Sequence, residues 1–520
     1  MKRIYTTILA GFSCLAMAQA PAIQWQKCFG GTSSDQAYDM VQTTDNGYIV
    51  GGLTTSNDGD VANQLGGSDF WIVKLDANGT LQWKKNYGGS LNDWFSRIIQ
   101  TADGGYFMVG TTNSINGHAV GNHNNLTDGI AIKTDASGNV LWSRCYGGTQ
   151  SDYFKSTKQL ADGTYMVVGE TTSSDGDVGS NHNPQTNDAW VLHLDASGNI
   201  LWEHCYGSTG FEKFSDLDLT PDGGCVFIGE AYTSNFSGDV TDTNGLFDIW
   251  VVKTNATGAI QWQQTFGGSN QEAANTIKYL SDGSYIATGL TRSNDGDVTS
   301  NHGASDFWVL KLNASGNLQW QRCYGGTAED VVVSDGEFGS NILEMPDGNF
   351  VFSCKAASTN GDVIGNHGST DFWIGKIGSA GQILWQKCMG GTNADASKTI
   401  LKTNDNGFAV CGFAWSSNGD VTGHHGNSDY WIVKLGSDNL ATTEFENPGL
   451  GIYPNPATSL LHVELPHKDS VQQIKIYDFS GKCIHQTNVS TINVDAFSTG
   501  TYFIEALSSG KTYRSQFIKQ

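Results

Sequence analysis

Short runs of alternating apolar and polar residues, separated by turns rich in glycine and aspartate, follow one another from about residue 22 to residue 436. Alternation with a period of two puts successive side chains on opposite faces of a strand, so each run predicts a β-strand. Four runs make one unit. The first follows a GG-[ST]-x-x-[DE] turn, the second follows a DGGY-like turn, the third begins D-x-W-x-x-K, and the fourth ends at a tryptophan. That tryptophan recurs as Trp25, Trp83, Trp142, Trp202, Trp262, Trp320 and Trp385, at spacings of 58, 59, 60, 60, 58 and 65 residues. The turn between the first two runs carries Asp45, Asp103, Asp162, Asp222, Asp282, Asp347 and Asp405, and the third run starts at Asp69, Asp128, Asp188, Asp248, Asp306, Asp371 and Asp429. All four elements therefore occur seven times. Four-stranded units repeated radially build a β-propeller, and thirteen of the 15 tryptophans recur with the period, which assigns them to blade interfaces.

Chain order sharpens the prediction. The opening segment AIQWQKCFGG reads as a fourth strand, whereas the seventh period stops after its third strand, DYWIVKLG, at residues 429–436. The N-terminal strand is expected to complete the last blade and close the ring, leaving only short outer edges. The predicted fold is thus all-β: a seven-bladed propeller over residues 19–436, a polar linker over 437–449, and a small Ig-like β-sandwich over 450–520, where the runs LLHVEL, IKIYDF and TYFIEAL follow no sixty-residue period. Residues 1–18 read as a signal peptide, with Lys2 and Arg3 ahead of an apolar stretch and an Ala16-Met17-Ala18 cleavage site. No later apolar run is long enough to act as a transmembrane segment.

Composition agrees with this picture. The chain has 65 glycines against 8 prolines, as many tight turns require. Its net charge of -23 argues against nucleic acid or an anionic membrane surface as partner, and suits cations or neutral glycans better. Cys28, Cys145, Cys205, Cys323 and Cys388 fall on the fourth strands of different blades, Cys225, Cys354 and Cys411 on second strands two strands away from any fourth strand of the same blade, and they are read as small apolar fillers and not as bridges.

The tail carries a resemblance. Tyr453-Pro454-Asn455-Pro456 followed by Leu460 and Leu461, then Ile474–Asp478 with Gly481, then Gly500-Thr501-Tyr502-Phe503, and finally Phe517-Ile518-Lys519 resemble the type A C-terminal sorting domain of type IX secretion substrates. The sixty-residue units are similar to propeller repeats of exported Bacteroidota proteins. The resemblance implies the type IX secretion machinery as a partner and a secreted or cell-surface location outside the outer membrane.

Candidate chemistry concentrates where the longer loops emerge, after the second and fourth strands. The DGD loops contain Asp58 and Asp60, Asp175 and Asp177, and Asp295 and Asp297, a set that could offer hard oxygens to calcium, the one cofactor this sequence suggests. The plainer reading is that these side chains accept hydrogen bonds from their own backbone and shape turns. His123, His182, His302, His367 and His425 fall one to a blade and cannot jointly hold one zinc. Asp35, Asp93, Asp152, Glu212, Glu272, Asp330 and Asp395 occupy one position in all seven periods, at the entry to the innermost strand. They would ring the channel mouth as a cation or ligand site, or each would accept turn N–H bonds or pair with a third-strand lysine such as Lys74. Trp94 and Trp415 stand outside the periodic series and, with Tyr153 and Phe154, form the candidate ligand-binding surface; residues 331–339 lengthen the sixth period beside the same face.

No HExxH, GxSxG, Walker or CxxC motif is present. Near-sevenfold uniformity is a poor setting for a once-placed catalytic group. The expected function is a non-catalytic binding or adhesion module for a surface glycan or protein ligand. The alternative is a glycan-active hydrolase or lyase using the channel-mouth acids.

Overall fold

A computed structural model describes residues 20–123, 126–179, 181–232, 238–331, 341–438, 450–465, 471–478, 482–508 and 511–520. The signal segment 1–18, nearly all of the sixth-period extension 331–339 and most of the linker 437–449 lie outside the described residues. The chain divides into two compact units between Asp438 and Asn439.

Among the described residues the first unit consists of seven four-stranded antiparallel sheets. Blade 1 is typical, with strands Asp35–Gln42, Tyr48–Thr54, Asp69–Leu75 and Leu81–Tyr87 paired in that order. The first strands of blades 2 to 7 are Asp93–Gln100, Asp152–Gln159, Phe211–Leu219, Glu272–Tyr279, Asn341–Glu344 and Asp395–Lys402. The seventh sheet draws on both ends of the unit. Ile23–Phe29 pairs antiparallel with Asp429–Leu435, setting Trp25 opposite Lys434 and Cys28 opposite Trp431.

Burial follows position within a blade. Second and third strands are apolar along nearly their whole length and buried on both faces, because each blade is covered by its two neighbours. The third-strand tryptophans Trp71, Trp190, Trp250, Trp308, Trp373 and Trp431 are fully buried there. Fourth-strand residues bind outward neighbours: the Tyr87, Tyr146 and Tyr206 hydroxyls donate to Gly138, Gly198 and Gly258 carbonyls of the following blade, each at 2.6 Å. Gly138 is required in this contact, since its φ is +75° and a Cβ there would lie 2.9 Å from the Tyr87 hydroxyl and 3.0 Å from Trp83. Blade 7 joins blade 1 in a related way, with the Tyr430 hydroxyl donating to the Trp71 carbonyl at 2.7 Å.

The second unit is a two-sheet sandwich. Gly451–Tyr453, Leu460–Glu464 and Thr491–Asn493 form one sheet, and Cys483–Thr487, Gln473–Tyr477, Gly500–Ser508 and Lys511–Lys519 form the other. Leu461, Val463, Ile474, Ile476, Ile504 and Phe517 from both sheets share one core.

Candidate functional site

A β-bulge recurs in the first strands. The ladder with the second strand slips between Ala37 and Asp39, Phe95 and Arg97, Phe154 and Ser156, Phe214 and Asp216, Ala274 and Thr276, and Ser397 and Thr399. The extra residues are Tyr38, Ser96, Lys155, Ser215, Asn275 and Lys398. A bulge re-aims its side chain, and all six of these line one cavity of about 380 Å³, joined by Asn341 of blade 6. First strands of all seven blades therefore face a common space, the central channel. Trp94, Tyr153 and Lys213, one residue after the periodic acids, form its upper wall toward the long loops, with Thr111 and Thr127 beside them.

The channel floor is ionic. Asp216 accepts hydrogen bonds from Arg97 of blade 2 at 3.1 Å and from Ser156 of blade 3 at 2.7 Å, and meets Thr276 and Lys278 of blade 5, the latter at 3.5 Å. Burial acts to raise its pKa, but Lys278, Arg97 and Lys158 together hold the carboxyl far below the usual carboxylate range. Asp39 of blade 1 faces Arg97 at 3.7 Å and accepts from the Ile98 amide at 3.0 Å and the Thr399 hydroxyl at 3.2 Å. On the wall, Lys155 lies 3.5 Å from Glu170, and Lys213 lies 3.3 Å from Glu230. Burial would lower the Lys213 pKa, yet Glu230 and Glu170 raise it.

Of the predicted ligand residues, Trp94 and Tyr153 meet in the cavity. Phe154 does not: it is fully buried between blades, stacked 5.7 Å from Trp190. Trp415 is 41% exposed and lies outside the lining, touching Phe413 at 5.7 Å, whose ring in turn lies 5.5 Å from the Lys398 ammonium.

The seven periodic acids are not presented at the channel mouth. Asp35, Asp93, Asp152, Glu212, Glu272, Asp330 and Asp395 are buried, and each accepts from the amide four residues earlier, Gly31 at 2.7 Å in the case of Asp35 and Ser208 at 3.0 Å for Glu212. Second-strand-end hydroxyls complete the set, as Thr54 and Ser56 do for Asp35. The third-strand lysines are engaged elsewhere, on the opposite tight turns: Lys74 with Asp45 at 2.9 Å, Lys133 with Asp103 at 2.9 Å, Lys434 with Asp405 at 2.9 Å. In blade 3, His193 replaces the lysine and contacts Thr164 at 2.8 Å.

Each buried acid has a second carboxylate for a neighbour. A Cβ on Gly88 would stand 2.5 Å from both Asp69 Oδ1 and Asp93 Oδ2, and Gly30 stands in the same relation to Asp429 and Asp35. The third-strand acid uses Oδ2 for its own loop; five of the seven receive the predicted histidine there, His123 on Asp128 at 2.7 Å for example. Its Oδ1 has no hydrogen-bond partner among the described residues, in all seven blades. Burial, with Asp93 adding repulsion, pushes Asp69 up to about 6.

The DGD carboxylates do not fit a calcium cage. Asp58, Asp175 and Asp295 accept from the amides of Thr32, Thr149 and Ser269, each at 2.7 Å, while Asp60, Asp177 and Asp297 accept from Gly30, Gly147 and Gly267 at 3.2 to 3.3 Å. Blades 2, 6 and 7 make the first of these bonds with neutral amide oxygens, Asn116 to Ser90 at 2.8 Å and Asn360 and Asn418 to Thr327 and Thr392 at 2.9 Å. No three acidic, histidine or cysteine side chains converge among the described residues.

In the second unit, the tail motif locks the C-terminal strand. Asn455, between Pro454 and Pro456, accepts from the Ile518 amide at 2.9 Å and donates to the Gln516 carbonyl at 3.2 Å. Gly500 pairs with the buried Lys519, and Tyr502 stacks on Phe517 at 5.5 Å while donating to the Ser498 carbonyl at 2.8 Å. The family described as the secretion system C-terminal sorting domain matches residues 451–520. This unit is a type IX sorting domain. The sorting domain implies export through the type IX machinery to the outside of the cell. The chain is also 27% identical over 212 residues to the regulatory protein FlaEY of Caulobacter vibrioides, covering 38% of this chain and 22% of that protein, about a fifth of its length. Similar solved structures include the Neurospora crassa Pan2 WD40 domain, at 10% identity, TM-score 0.40, and coverage of 78% of this chain and 89% of that one. Kuenenia stuttgartiensis hydrazine synthase matches at 10% identity, TM-score 0.44, with 73% and 93% covered.

Sequence reasoning missed Arg97, Lys155, Lys213 and Lys398 in the cavity. Their signal was departure from the period: the first, third and fourth positions after the acid, which hold Lys213, then Lys155 and Lys398, then Arg97, change from blade to blade.

Proposed function

We propose that this exported propeller is a non-catalytic binding or adhesion module whose ligand site is the upper wall of the central channel, built on Trp94 and Tyr153. The observation that carries this reading is the breakdown of the repeat at one place. Scaffold positions recur blade after blade, whereas the cavity-lining positions vary around the ring, the bulge residue reading Tyr38, Ser96, Lys155, Ser215, Asn275 and Lys398, and a binding site needs such asymmetry. Two aromatic rings of intermediate exposure next to polar bulge residues suit a small, flat, hydroxylated ligand. The seven acids that a hydrolase or lyase would have used are committed to turns, so no observation favours that alternative.

Export in this reading starts with residues 1–18 as a signal peptide and ends with the type A sorting domain delivering the propeller to the outer membrane exterior of a Bacteroidota cell, where it is anchored or released. The test is a glycan array and a surface-protein pull-down with the secreted protein and its Trp94→Ala/Tyr153→Ala double variant. Binding should fall by about tenfold or more in the double variant, as expected when central aromatic anchors are removed, and persist in Trp415→Ala. Binding by the double variant equal to that of the parent would overturn the site.

A further inference from the structure

The charge of the cavity lining runs against the charge of the chain. Acidic residues outnumber basic ones 52 to 29, yet the described residues lining the channel cavity include Arg97, Lys155, Lys213 and Lys398 and no carboxylate. The counter-charges of Arg97, Lys155 and Lys213 stand behind them. Glu170 and Glu230 are buried at 9% and 3% exposure, and Asp39 and Asp216 lie beneath Arg97 at 4% and 1%. The acids thus hold the cations in place from below, while the cationic ends form the surface a ligand would meet. The lysine pairs are loose, at 3.5 and 3.3 Å, which leaves the three-donor ammonium groups capacity for a further acceptor.

The cations also lie beside flat rings. The Lys155 ammonium is 5.4 Å from the Tyr153 ring centre, and the Lys398 ammonium is 5.3 Å from that of Tyr38. Ser96, Ser215 and Asn275 supply neutral hydrogen-bonding groups from the bulges between them, and the buried Thr127 hydroxyl oxygen has no hydrogen-bond partner among the described residues. A volume of about 380 Å³ admits one or two sugar rings and excludes a folded protein.

Resting on the channel-mouth reading, we propose that the cavity binds an acidic sugar at the end of a glycan. The apolar face of its ring stacks on Trp94 and Tyr153, and its carboxylate is held by Lys155 with Lys398 or Lys213. An acidic peptide shares the charge but lacks the stacking face and the ring of hydroxyls that the bulge residues suit.

The proposal is tested by calorimetric titration of the secreted protein with two matched pairs of probes, 3′-sialyllactose against lactose and trigalacturonate against galactotriose, together with hexaglutamate. At least one acidic sugar should bind about tenfold more tightly than its neutral partner, with the preference fading between 0.05 and 0.5 M salt, as roughly expected for charge recognition. Lys155→Met and Lys398→Met should each remove most of that preference, Lys155→Arg should keep it, and Trp94→Ala should weaken acidic and neutral sugars alike. Circular dichroism melts establish that each variant is folded. Equal binding within both pairs, with the lysine variants silent and Trp94→Ala still damaging, would overturn the acidic-sugar assignment and leave the channel-mouth reading standing. Binding indifferent to Trp94→Ala would overturn the channel-mouth reading itself. Hexaglutamate binding more tightly than either acidic sugar, or no binding by any of the probes, would also overturn the acidic-sugar assignment.

Discussion

The guanidinium of Arg97 in blade 2 lies 3.1 Å from the carboxylate of Asp216 in blade 4, so one ion pair reaches past an intervening blade on the channel floor. Ser156 of that intervening blade donates to the same carboxylate, and Asp39 of blade 1 holds the other side of the guanidinium. Removing one member of such a buried set leaves uncompensated charge on the rest. Asp216→Asn should therefore cost about 3 kcal/mol in urea denaturation, the usual scale for breaking a buried pair. A loss under about 0.5 kcal/mol, typical of exposed pairs, would show that the bridge carries no structural weight.

The paired carboxylates at the blade junctions make stability depend on pH. Burial raises Asp69, Asp128 and Asp248 to about 6 and Glu212 to about 7, above the ordinary values of 3.8 and 4.5. A folded pKa above the unfolded one favours the protonated folded state, so this contribution is complete below the unfolded value and is lost as pH rises through 6 to 7. On the opposite turns, burial acts to raise Asp45, Asp103, Asp222 and Asp405, but threonine and lysine hydrogen bonds hold each down to about 2, a contribution lost only as pH falls through that value. The melting temperature should be highest near about pH 4, decline as pH rises to about 7, and level off above it. Asp69→Asn should raise the melting temperature at pH 8 and flatten the decline. A melting temperature that climbs from pH 6 to 8 would contradict the pairing.

The DGD loops should be indifferent to calcium and nearly so to charge. Asn116, Asn360 and Asn418 already do in their blades what Asp58 does in blade 1. Asp58→Asn should leave the melting temperature nearly unchanged, because the accepting oxygen remains. EDTA should leave the melting temperature in place; a drop reversed by added calcium would restore the metal reading.

The scaffold was legible in the sequence because it repeats. Strand starts at Asp35, Asp69 and their equivalents, the tryptophan series, and the split of one blade into a single opening strand and three closing ones all follow from spacing. The site was less legible for two physical reasons. Adjacent strand residues face opposite ways, so Tyr153 lines the channel while Phe154, grouped with it from sequence, stacks on Trp190 between blades. A carboxylate at a strand entry can face solvent or cap a turn, and residue type alone does not decide between them. The six bulges that aim Lys155 and Lys398 into the channel leave no mark in the apolar pattern, since they follow from how first and second strands pair.

The channel exists because seven first strands surround it, and that depends on Ile23–Phe29 hydrogen-bonding to Asp429–Leu435. Hydrogen exchange of the backbone amides in Ile23–Phe29, followed by mass spectrometry on the secreted protein, tests this most directly. Protection comparable to that of the second strand Tyr48–Thr54 is the predicted result. Exchange as fast as in an unpaired segment would contradict the ring and the site built inside it.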